Sequence, residues 1–153
     1  MKRRVLLHNI RSAYNVGSIF RTADGAGVDH IYFSGYTPRP TDRFGRTQPE
    51  IEKTSLGASK SVPWTDWGDD PVGQLTQLKA DGWYVVAVEQ DSSSVSVYEY
   101  RPKDRTIYIF GNEVEGVSHD LLEEADEIVE IPMHGTKESL NVAVSAGVVL
   151  FRT

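Results

Sequence analysis

The stretch IPMHGTKESLNVAVSAGVVLF, residues 131–151, decides how this chain is read. It opens as the end of an apolar strand, turns at Pro132 and runs through seven mostly polar residues. From Asn141 onward it is almost wholly apolar, with Val142, Ala143, Val144, Ala146, Val148, Val149 and Leu150 in close succession. A helix without a polar face is expected to be buried. Ala143, Ser145, Ala146 and Gly147 are small enough to let another backbone approach. The helix is therefore either a subunit interface or the central helix of one domain. Ser139 or Asn141 is suited to cap it. A tail built only for packing has no use for His134, Lys137, Glu138, Ser139 and Asn141 just ahead of that helix.

Upstream, short β-branched or aromatic runs recur between turn residues: RVLLH (4–8), HIYFS (30–34), WYVVAV (83–88), TIYIF (106–110) and EIVEI (127–131). Helical patterns lie between several of them. In NVGSIFRTADGAGV, Val16, Ile19, Phe20 and Ala23 share one face, with Asn15 a suitable cap and Gly25 or Gly27 a suitable stop. DDPVGQLTQLKADG has Asp70 to cap, Pro71 in the first turn and Gly82 to stop. SHDLLEEAD is a short helix begun at Ser118. Strands alternating with helices predict an α/β fold, a mainly parallel sheet covered on both faces. The 153 residues suit one domain with a single sizeable core.

Hydrophobic residues make up 39% and charged residues 25%, a globular balance. No apolar run approaches the roughly 20 residues that span a bilayer. The start, MKRRVLLHNIRSAYN, reads as a first strand and not as a signal peptide. Cysteine is absent, which excludes thiolate chemistry, disulfides and cysteine zinc sites. Cytoplasmic residence is the default expectation. The net charge of −6 argues against a general nucleic-acid coat, but the charge is split. Residues 1–60 carry ten Lys and Arg against five Asp and Glu; residues 61–153 carry six against seventeen. Such asymmetry fits a nucleic-acid-facing half, or chance clustering on a solvated surface. The long irregular loop GYTPRPTDRFGR (35–46) holds Arg39, Arg43 and Arg46 with a Tyr and a Phe among them. Aromatics between arginines can stack on bases while guanidinium groups hold phosphates; a plain surface loop is the other reading.

Common signatures fail. There is no phosphate-binding loop with its lysine, no dinucleotide fingerprint and no nucleophile elbow. The four histidines lack metal-ligand spacing, so no metal is expected. Three places remain. In NVGSIFRTADGAG, Gly17 and Arg21 share a helix face, which could admit a phosphate against the guanidinium or be ordinary amphipathic surface. In IYIFGNEVEGVS, a strand ends at Phe110 and Gly111 begins a loop with Glu113 and Glu115, either an acid/base pair or a solvated loop. The third place is residues 131–151.

Taken together and in order, N-x-G-x-x-x-R-T, F-G-N-E-x-x-G-V-S and I-P-M-x-G-x-x-x-S-L-N-V-A-V-S resemble the three motifs of the SpoU (TrmH-like) family of RNA 2′-O-ribose methyltransferases, a branch of the SPOUT superfamily. EIEKTSLGASKSVPW also looks like the segment following the first motif. The resemblance covers essentially the whole chain, read as a single SpoU-type domain over residues 1–153. It implies that residues from about 105 to 153 form a deep trefoil knot and the cofactor site, a feature periodicity could not reveal. It implies S-adenosylmethionine as methyl donor, S-adenosylhomocysteine as product, and no metal. Val88, Gly111, Ile131, Met133 and Leu140 match the cofactor-binding positions. Asn15, Arg21, Glu113, Ser139 and Asn141 match the active site. Arg11, Arg39, Arg43 and Arg46 are the expected RNA-binding cations. RNA, either tRNA or rRNA, is the implied substrate, and a homodimer without membrane attachment the implied assembly. The chain ends early for the pattern, at Thr153, and no added RNA-binding domain is expected. An arginine is a poor base, its pKa lying above about 12. Arg21 is therefore read as a clamp on the phosphate beside the target ribose, with Glu113 as carboxylate or loop organiser. Ser139 and Asn141 orient the ribose or the donor's methionine end. The rival readings are a catalytically idle RNA-binding dimer and a related enzyme acting on another RNA position.

Overall fold

The computed structural model describes residues 1–152. The elements run β1 (Lys2–His8), α1 (Ala13–Ala26), β2 (His30–Ser34), α2 (Pro49–Ser55), α3 (Ala58–Ser61), β3 (Trp64–Asp66), α4 (Pro71–Ala80), β4 (Tyr84–Val88), β5 (Val95–Ser96), β6 (Arg105–Phe110), α5 (His119–Glu124), β7 (Glu127–Glu130) and α6 (Val142–Arg152). The strands form one sheet in the order β3-β2-β1-β6-β4-β7-β5. Every pairing is parallel. The predicted α/β class with a parallel sheet holds.

The period of two in the strands sorts side chains onto two faces. Val5, Leu7, Ile31, Phe33, Val86, Tyr108 and Phe110 join α1, α2, α3 and α6 in one hydrophobic cluster. Their neighbours Leu6, Tyr32, Val85, Ala87, Ile107 and Ile109 join Leu75 of α4 and Leu121 of α5 in the other. Helices therefore cover both faces, as a parallel sheet requires. Arg3 ties α1 and α6 to the first strand by donating to the carbonyls of Ala26 and Leu150 near the two helix ends, where a cation is favourable.

Four local expectations change. The two strands unseen in the sequence, β3 and β5, are the sheet's two edges and have three and two residues, too few to display alternation. Ser12, not Asn15, caps α1, accepting the Asn15 N–H at 3.1 Å. Gly17 is not an open ligand face, because α2 packs directly on it. A Cβ there would lie 1.8 Å from Thr54 Oγ1 and 2.8 Å from the Ile51 carbonyl. Finally, α6 is buried along Val142, Ala146, Val149 and Leu150 only; Val144 and Phe151 are 51% and 66% exposed. Its apolar outer face remains open in the single chain.

Candidate active site

Sheet order reverses around β6: β1 to β3 step one way, and β4, β7 and β5 lie on the other side. Ligands of open parallel sheets sit beyond the strands' carboxyl ends at such a reversal. A cleft of about 260 Å³ lies there. It is bounded by the residues after β4 (Val88, Glu89, Gln90), after β6 (Phe110 to Gly116), after β7 (Glu130, Ile131, Met133) and around the start of α6 (Glu138, Ser139, Leu140, Val142, Ser145). Val88, Gly111, Ile131, Met133 and Leu140 all line it. Its walls carry Glu89, Glu113, Glu115, Glu130 and Glu138 and not one Lys or Arg. Such a surface repels phosphate and favours a cation.

The loop after β6 is tightly built. Asn112 and Gly116 exchange backbone hydrogen bonds, and the Asn112 Oδ1 accepts from Val114 and Glu115 N–H at 2.8 and 2.9 Å. Gly111 permits this fold-back, since a Cβ on it would stand 2.4 Å from the Gly116 carbonyl oxygen. Glu89 fastens the loop's far side, accepting from Val117 N–H at 2.9 Å. Gln90 donates its side-chain amide to the Glu138 carbonyl and so holds the polar loop before α6.

Glu113 points at the start of α1. Its carboxylate accepts from Arg11 N–H at 2.8 Å, Ser12 N–H at 2.9 Å and Asn15 Nδ2 at 3.2 Å. The Asn15 Oδ1 in turn accepts from Asn141 Nδ2 at 3.2 Å, and Asn141 Oδ1 caps α6 by accepting Ala143 and Val144 N–H. Burial alone would raise the Glu113 carboxyl, but the donors from Arg11, Ser12 and Asn15 outweigh it and hold it below the ordinary carboxylate range. Its two oxygens are committed to these three donors, an arrangement that fits a loop organiser better than an acid/base pair with Glu115.

Asn15, Glu113 and Asn141 are thus joined across the three motifs. Ser139 lines the cleft, and its hydroxyl engages no other described residue. Arg21 stands apart. It is exposed on α1, six residues beyond Asn15, and makes no hydrogen bond or ion pair among the described residues. Of the expected RNA-binding cations, Arg11 is exposed. Arg43 and Arg46 lie 4.8 and 5.1 Å from the centre of the Phe44 ring. Arg39 is different: its side chain is 17% exposed, and it donates to the carbonyls of Gly35 and Thr37 and to Asp66. It braces the loop. Asn112, Glu89 and Gln90 were not foreseen. Asn112 lies inside the F-G-N-E motif, and the other two follow a recognised strand at its carboxyl end, which was signal enough to find them. Among the described residues no cluster of His, Asp or Glu able to hold a metal ion occurs, and no helix is long and apolar enough to cross a membrane.

Comparison with known proteins gives a consistent result. The sequence model of the SpoU rRNA Methylase family matches residues 2–151. A tRNA (guanosine(18)-2′-O)-methyltransferase of Aquifex aeolicus is 33% identical over 147 residues, covering 96% of this chain and 66% of that protein. A 23S rRNA (guanosine-2′-O-)-methyltransferase of Neisseria meningitidis is 32% identical over 149 residues, covering 97% of this chain and 56% of that protein. This chain thus spans between half and two thirds of these relatives. The crystal structure of an A. aeolicus TrmH/SpoU tRNA modifying enzyme superposes with a TM-score of 0.85 at 30% identity, covering 99% of this chain and 73% of that one. An AdoMet-bound rRNA methyltransferase from Sinorhizobium meliloti gives the same TM-score and identity, with 99% and 55% covered.

Proposed function

The chain belongs to the SpoU rRNA methylase family, and from that premise we propose that it transfers a methyl group from S-adenosylmethionine to a ribose 2′-hydroxyl of tRNA or rRNA. The observation that carries this reading is the cleft beyond β4, β6 and β7, with Asn15, Glu113 and Asn141 joined at its edge. Its apolar walls, Val88, Phe110, Ile131, Met133, Leu140 and Val142, suit an adenine. Its glutamates suit a sulfonium and keep phosphates outside. When bound, the donor supplies an electrophilic methyl that needs no metal. The remaining work is positioning. Glu113 holds Asn15, Asn15 holds Asn141, and Asn141 with the free Ser139 hydroxyl orients the ribose at the cleft. Arg21 clamps the adjoining phosphate. The hydroxyl proton leaves to that phosphate or to water, since Glu113 is committed to its three donors.

The same premise extends to the assembly. The polar loop before α6 is held to the loop after β4 by Gln90 and lines the same cleft as the loop after β6. That arrangement supports a knotted cofactor region within one SpoU-type domain. The open apolar face of α6, with Val144 and Phe151 bare, supports a homodimer. Arg21 does not touch the Asn15 cluster of its own chain, so RNA or a second copy must bridge the two. Arg11, Arg43 and Arg46 are the outward cations that suit RNA, and a tRNA or rRNA substrate fits cytoplasmic residence. The deciding experiment maps 2′-O-methyl sites in total RNA with and without the gene. Loss of one or more sites is expected; an unchanged map in which purified protein also fails to methylate RNA would remove the reading and favour an idle RNA-binding dimer.

A further inference from the structure

Tyr36 lies in the turn after β2 and is 57% exposed. Both of its ends are nevertheless fixed. Its N–H donates to Asn9 Oδ1 at 3.1 Å. Its phenol oxygen accepts from Asn112 Nδ2 at 2.8 Å, and the same amide donates to the Asn9 carbonyl at 3.0 Å. Asn9 has a φ of 55°, a left-handed conformation that a residue with a Cβ adopts only at a cost. Asn112 is 8% exposed and also holds the loop after β6. Residues from the carboxyl ends of three strands, β1, β2 and β6, therefore converge to fix one ring whose surface is left bare.

A tyrosine serving only as a strut has its ring covered and its hydroxyl paired. Here the hydroxyl is paired and much of the ring is open to solvent. Asn112, whose amide holds the phenol, lines the cleft, and Tyr36 itself belongs to the arginine-bearing loop. Arg11, exposed three residues after a β1 that ends at His8, supplies positive charge on the same edge of the sheet. We infer that Tyr36 is the plate on which the base of the methylated nucleotide stacks, unpaired from its helix, so that its ribose faces the cleft. An aromatic plate accepts any base and loses little entropy, because the ring is already held in place. This rests on the methyltransferase reading and adds a single-stranded or extruded target nucleotide to it.

The test uses full-length protein, radiolabelled S-adenosylmethionine at saturation and total RNA from a strain lacking the gene. Tyr36→Leu, which keeps bulk and removes the plate, should lower kcat/KM for RNA roughly 5- to 150-fold, the equivalent of one base–aromatic stack. Tyr36→Phe and Tyr36→Trp, which keep a plate but lose the hydroxyl that fixes it, should retain most of the rate and fall clearly less than Tyr36→Leu. Calorimetric affinity for S-adenosylhomocysteine should be unchanged in all three. If Tyr36→Phe is as damaging as Tyr36→Leu and cofactor affinity falls with it, the ring is a strut for the Asn112 loop and the inference is overturned. Wild-type transfer by Tyr36→Leu overturns it as well. Should Tyr36→Leu not fold, loss of transfer in a folded Tyr36→Trp does the same. A wild-type protein that binds S-adenosylhomocysteine but methylates no RNA in this mixture would instead remove the methyltransferase reading beneath it.

Discussion

Replacing Glu113 by Gln separates an organising carboxylate from a proton-accepting one. The carboxylate takes two backbone N–H groups at the entry of α1 and the Asn15 amide. Gln presents one oxygen and one NH₂ group, so at least one of those donors loses its acceptor and faces a donor instead. A hydrogen bond to a charged group contributes about 1.5–3 kcal/mol when shielded from water. Glu113 is only partly buried and water reclaims some of that, so the expected loss is about 1–2 kcal/mol at neutral pH. The sign with pH follows from the lowered carboxyl. Its contribution is complete above its ordinary value of 4.5 and is lost as pH falls from there through the folded-state value. The stability gap between wild type and Glu113→Gln should therefore be flat near neutrality and close in acid. Urea unfolding followed by tryptophan fluorescence across that range measures it. Methyl transfer should fall about tenfold through disorder of Asn15 and Asn141, less than the roughly 10²–10⁴ lost with a general base. Equal stability at neutral pH, or a neutral-range limb in the rate profile that vanishes in Glu113→Gln, would refute the organising role.

Gly17→Ala should destabilise by about 1–3 kcal/mol through overpacking of α1 on α2, visible as a lower Tm with S-adenosylhomocysteine affinity intact. Val144→Asp places a charge on the bare face of α6 and should turn a sedimenting dimer into a folded monomer; a wild type that sediments as a monomer at micromolar concentration refutes the interface. Neutralising Arg43 and Arg46 should flatten the salt dependence of RNA binding by roughly one counterion per lost phosphate contact. Arg39→Ala should instead lower thermal stability, because that guanidinium braces Gly35, Thr37 and Asp66. Added salt should weaken S-adenosylmethionine more than S-adenosylhomocysteine, since only the former brings a sulfonium charge to a cleft walled by glutamates; parallel calorimetric titrations would expose an equal response.

Local pattern in this sequence was sufficient for the five longer strands, for the helix begun at Asp70 and for the alternation that implies a parallel sheet. Each is a short-range property, set by a period of two or by a cap beside its helix. The edge strands β3 and β5 were not legible, because three and two residues hold no period and their pairing comes from β2 and β7. Asn15 and Ser12 are equally good caps by residue type. Only the tertiary fold shows that the Asn15 side chain is engaged elsewhere, with Glu113 98 residues away and Asn141 126 away. Arg39 and Arg43 look alike in the loop, yet one is a partly buried brace and the other faces solvent. The motifs of the chain named their residues in order, while the order β1-β6-β4-β7 brought them together. Sequence periodicity carries information about one element's faces; which ends of which strands meet depends on crossovers whose contacts are far apart along the chain. The donors gathered on Glu113, the bracing contacts of Arg39 and the held ring of Tyr36 all arise from such distant contacts, which only folding in three dimensions brings about.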